Sequence, residues 1–77
     1  MKKELRNLNK QYSLKKQELN TVTAALNHAQ RGFNLALDDS ATEGCIYEIN
    51  ALRRRRNSIL QEMQSIDRER NKYGNYF

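Results

Sequence analysis

Along the first half of the chain, Leu5, Leu8, Tyr12, Lys15, Leu19, Val22, Leu26, Ala29, Phe33 and Ala36 follow one another in alternating steps of three and four, and only Lys15 is polar. A repeat averaging 3.5 residues is the heptad of a helix that packs along one stripe against another helix. Leu14, the neighbour of Lys15, is expected to cover the gap the lysine leaves. The second half repeats the pattern through Cys45, Ile49, Leu52, Arg56, Ile59, Met63, Ile66, Arg70, Tyr73 and Phe77, with two arginines interrupting it. Nowhere do apolar and polar residues alternate strictly with enrichment in β-branched side chains, so no strand is expected.

The two series are separated by "LDDSATEG". Ser40 followed three residues later by Glu43 has the spacing of a capping box, in which the serine oxygen accepts from an orphan backbone N–H and the glutamate reaches back. Asp38 and Asp39 just before it suit the positive end of a helix dipole. These signals predict a helix from about Lys3 to Leu37, a turn over about 38–40 and a second helix from about Ala41 to Lys72, followed by an aromatic tail over 73–77. Each helix would be about 50 Å long at about 1.5 Å per residue. Two equal helices joined by so short a turn run antiparallel, so the fold class is all-α, a single coiled-coil-like helical hairpin. Gly32 falls inside the first helix, where one glycine costs only about 1 kcal/mol and the heptad continues past it.

Each helix also carries apolar residues beside its stripe: Leu14, Ala25, Leu35 and Leu37 on the first, Ile46, Tyr47 and Leu60 on the second. They widen the stripe toward a second face, which would bury against another hairpin in a four-helix bundle or against a helix of a different protein. Length points the same way. A chain of 77 residues has a single small core, worth about 3 to 5 kcal/mol of net stability. The lone Cys45 forms no internal disulfide, and one cysteine with one histidine makes a poor metal site, so a homodimer or another partner is expected to supply the supplement.

Charge brings in the candidate chemistry. Charged residues make up 30% of the chain and leave a net charge of +5, which tilts it toward acidic partners. Arg53, Arg54, Arg55 and Arg56 stand in a row inside the second helix, and because successive positions turn by about 100°, they form a collar around it rather than one flat patch. No carboxylate lies four residues before or after any of them. Folding the hairpin about Ser40 sets them opposite Thr21 to His28, a stretch that also lacks acids. Arginine suits bidentate contact with carboxylate or phosphate, so the collar points to an anionic group in trans; the alternative is a solvated helix whose arginine stems lie over the seam. Lys15, Arg56 and Arg70 at seam positions resemble polar core residues that select register and partner at some cost in stability.

Other candidates carry less. His28 falls opposite about Leu52, far from Cys45, so no catalytic dyad forms, and Cys45 at a seam position is expected to be a packing residue. Glu43, Glu48, Asp38 and Asp39 do not follow the spacing of a calcium loop. Tyr73, Tyr76 and Phe77 return beside Leu5 and Leu8, as an aromatic clamp on the open end or as a recognition motif that docks into a partner. No apolar run reaches the roughly 20 residues of a membrane span, and "MKKELRNLNK" has no apolar segment after its lysines, so a cytoplasmic protein is expected. No enzyme activity, cofactor or metal is expected. The pattern as a whole points to a small interaction protein, an adaptor, regulator or chaperone, that binds a protein partner through an apolar face and the arginine collar. Weak, sequence-independent binding of nucleic-acid backbone through the same arginines is the alternative, and a membrane surface the least favoured partner.

Overall fold

The computed structural model of the chain describes residues 2–74. It contains two helices, α1 over Lys2–Leu35 and α2 over Asp39–Gly74, packed side by side into a rod measuring 57 × 14 × 14 Å. The contacts along the rod fix its direction. Glu4 meets Tyr73, Asn9 meets Arg70 and Lys15 meets Glu62, so α1 and α2 run antiparallel.

The turn differs from the expected capping box. Asp38, not Ser40, caps α2: its Oδ1 accepts from the Ala41 backbone N–H at 2.7 Å, and its carbonyl accepts from the Thr42 N–H at 3.0 Å and the Thr42 hydroxyl at 2.9 Å. Aspartate is as good an N-cap as serine, and capping two residues earlier adds Asp39 and Ser40 to the helix. Asp39 then sits in the first turn of α2, where its charge favours the helix dipole. The first helix closes with a tight bond from the Ala36 N–H to the Phe33 carbonyl at 3.2 Å. No residue of the turn takes a positive φ, so the connection through Ala36, Leu37 and Asp38 needs no glycine. Replacing Asp38 by alanine is expected to lower stability by about 1 kcal/mol, while Ser40→Ala changes it by a few tenths at most. Thermal unfolding of the two variants checks this, and the opposite order would reinstate Ser40 as the cap.

The heptad stripes face each other. Val22, Ile59 and Met63 are buried in one cluster, with Tyr12, Leu19 and Leu52 packed against it. Leu26, Ala29 and Ile49 form the next, and Leu52 touches both, joining them into one seam. Gly32 stays helical, as expected, and an added methyl there would meet the Cys45 sulfur at an ordinary 3.6 Å. Phe33 departs from the pattern: placed on the seam by the repeat, it is 40% exposed, because it lies in the last turn of α1 where little of α2 remains to cover it.

Lys15 is also accommodated differently from the expectation. Leu14 is 52% exposed and does not cover it. Instead the Lys15 ammonium pairs with Glu62 of α2 and with Glu18 at 3.4 Å, so a cation at a seam position becomes a cross-helix contact. Arg70 is satisfied in another way. Its guanidinium donates to Asp67 Oδ1, once at 3.1 Å from Nε and again from Nη2, donates to Asn9 Oδ1 at 3.2 Å, and stacks over Tyr12 at 4.0 Å from the ring centre.

The rod leaves much surface in water. It exposes 6185 Å², whereas a compact monomer of 9.1 kDa exposes about 4,900 Å². The difference follows from shape, since two helices have one mutual contact and every other side faces solvent.

Candidate interaction surface

The arginine collar is built by α2 alone. Arg53, Arg54 and Arg55 are exposed and Arg56, at its seam position, is half-buried. About 200° of helix separates Arg53 from Arg55, and the two line different grooves. Arg53 borders an open groove of about 400 Å³ with Gln30, Phe33, Asn34, Ile46, Ile49 and Asn50. Arg55 borders another, of about 430 Å³, with Leu14, Gln17, Glu18, Thr21 and Val22.

Among the described residues, none of the four arginines makes an ion pair or a hydrogen bond. The nearest acid in the Arg55 groove, Glu18, is engaged with Lys15 instead. Four cations therefore sit around the middle of the rod without an anion, while the cations elsewhere on the seam are paired. Sequence reasoning found the collar but missed the neutralisation of Lys15 by Glu62 on the opposite helix and that of Arg70 by Asp67, three residues before it on α2.

The apolar residues outside the seam stay largely open to solvent. Leu14, Leu35, Leu37, Ile46, Tyr47 and Leu60 are exposed and Ala25 is half-buried. Ile46 lies in the Arg53 groove and Leu14 in the Arg55 groove, so each groove offers an apolar floor with one arginine at its edge.

At the open end of the rod, Tyr73 is part of α2 rather than of a tail, and its hydroxyl donates to Glu4 at 3.1 Å. Tyr76 and Phe77 lie outside the described residues. Acceptance by Glu4 pushes the Tyr73 phenol above its ordinary 10.0, with desolvation acting in the same direction. The Glu62 carboxylate likewise holds the Lys15 ammonium above 10.5 against a smaller desolvation effect, and Glu69 does the same for Lys72. All three groups keep their protons longer folded than unfolded. Their stabilisation is complete below about pH 10 and is lost as pH rises through the raised folded values. The melting temperature is accordingly expected to fall above about pH 10, less steeply in Tyr73→Phe than in the parent. Identical alkaline slopes for the two chains would show that the Glu4 contact contributes nothing.

His28 is exposed and Cys45 half-buried beside Gly32. Among the described residues no group of three or more His, Cys, Asp or Glu side chains is placed to hold a metal ion, and no helix is long and apolar enough to cross a membrane. Compared with protein-family models, with curated proteins and with solved structures, the chain matches none.

Proposed function

We propose that the hairpin is a non-enzymatic cytoplasmic interaction protein, an adaptor, regulator or chaperone, that binds an acidic protein surface through the arginine collar and the apolar grooves beside it, and that two hairpins pair into a four-helix bundle. The observation that carries this reading is the set of four unpaired arginines at the middle of the rod. An exposed guanidinium offers a planar, bidentate donor set for carboxylates, and the apolar floors at Ile46 and Leu14 supply the area that charge alone does not. A pI near 9.7 favours the approach of an anionic partner.

The same unpaired arginines favour a second reading, binding of nucleic-acid phosphates without sequence preference. The two are separated by capture from the native lysate with and without nuclease, using the parent and an Arg54→Gln/Arg55→Gln variant. The expected result is a specific protein that survives nuclease treatment, with affinity reduced roughly tenfold for each arginine removed and helicity unchanged. If everything captured depends on nucleic acid, the collar is a phosphate binder and the protein-partner reading falls.

A further inference from the structure

We infer that two copies of the chain pair through one row of α2, with Leu60 on the two-fold axis and Arg53 of each copy bound to Asp67 of the other. This rests on the dimer reading above and gives it a face and a register. Ile46, Arg53, Leu60 and Asp67 recur every seven residues, so they lie in one row along α2. The row is open: Ile46 is 44% and Leu60 39% exposed, Arg53 is exposed and the Asp67 side chain is 45% exposed.

Its order is self-complementary. When a second α2 is laid antiparallel with Leu60 against Leu60, the positions seven residues to either side, about 10 Å along the axis, are Arg53 on one copy and Asp67 on the other. A two-fold axis repeats the pair, as an isologous interface requires. Both partners have capacity for it. Among the described residues Arg53 has no anion, and Asp67 spends only Oδ1 on Arg70. On one side of the row Asn57 and Gln64 carry no charge, and on the other Arg56, four residues before Leu60, is half-buried at the hairpin's own seam.

A standard interface covers about 800 Å² on each partner, a small part of the 6185 Å² that the hairpin exposes. Arg54 and Arg55 point away from this row and stay available to another partner.

The test uses the purified full chain, with no partner present. In a Cys45→Ser background, Leu60→Cys is expected to form a disulfide-linked dimer under mild oxidation, while Ile46→Cys, set opposite position 74 of the other copy, is not. In sedimentation equilibrium, Arg53→Asp and Asp67→Arg each weaken the dimer by roughly tenfold or more, and the doubly swapped chain recovers the parent affinity. Asp67→Arg also takes a carboxylate from Arg70, so Arg53→Asp, which breaks no hydrogen bond or ion pair among the described residues, decides the matter if that variant unfolds. Equal crosslinking at 46 and 60, no effect of Arg53→Asp, or a monomeric parent would overturn the inference. A monomer that still captures its protein partner through Arg54 and Arg55 would leave the partner reading standing.

Discussion

Replacing Ile59 by alanine is expected to remove most of the helical circular-dichroism signal at 25 °C. Ile59 is 3% exposed and sits with Val22 and Met63 at the middle of the seam. Truncating a buried isoleucine to alanine costs about 2 to 5 kcal/mol, from lost transfer energy and the cavity left behind. A core of this size supplies only about 3 to 5 kcal/mol in total, so the loss is comparable with the whole. Helices of this length have little stability without the partner face, and the signal should therefore fall cooperatively rather than in one segment. The control is Leu37→Ala: Leu37 is 98% exposed and its truncation should leave the melting curve unchanged. Because pairing of chains would add to apparent stability, both variants are compared with the parent at one protein concentration. A stably helical Ile59→Ala chain would mean that the central seam contributes far less than its burial implies.

The seam was legible in the sequence because its signal is repeated. Each of some ten positions per helix restates the same period, and a single exception such as Lys15 does not blur it. The collar was legible for a related reason, since rotation per residue alone fixes how four consecutive arginines spread. The cap was not. Asp38, Asp39 and Ser40 are all good capping residues, and local chemistry does not rank them.

That small uncertainty grows across the hairpin. Moving the fold point by one residue moves every cross-helix pairing by two. A turn centred on Ser40 sets Lys15 opposite Ser65, whereas the turn that forms, with Asp38 as cap, sets it against Glu62. The neutralisation of the seam lysine was therefore hidden by the same ambiguity that misplaced the cap. The contacts of Arg70 with Asn9 and Tyr12 depend on that register too. The seam's apolar character tolerates such a slip better, because Leu52 packs against both core clusters, but specific polar contacts do not.

Arg56→Leu is expected to make the hairpin more stable, and it is the contrast with Arg70 that gives the expectation its force. Both arginines occupy seam positions and both are half-buried. Arg70 is held by Asp67, Asn9 and Tyr12, so Arg70→Leu removes an ion pair, a cross-helix hydrogen bond and a ring contact and should lower the melting temperature. Arg56 has no hydrogen bond or ion pair among the described residues. It bears the desolvation cost of a seam position without a compensating contact. A leucine there would join Leu52 and Ile59 along the stripe, with a gain of about 1 to 2 kcal/mol and a rise of several degrees in melting temperature for a chain of this size. If the variant melts higher and captures its partner less well, Arg56 is kept in the seam for binding at the expense of stability. If it melts lower, the guanidinium is stabilising the hairpin, and Arg56 drops out of the collar as a binding group.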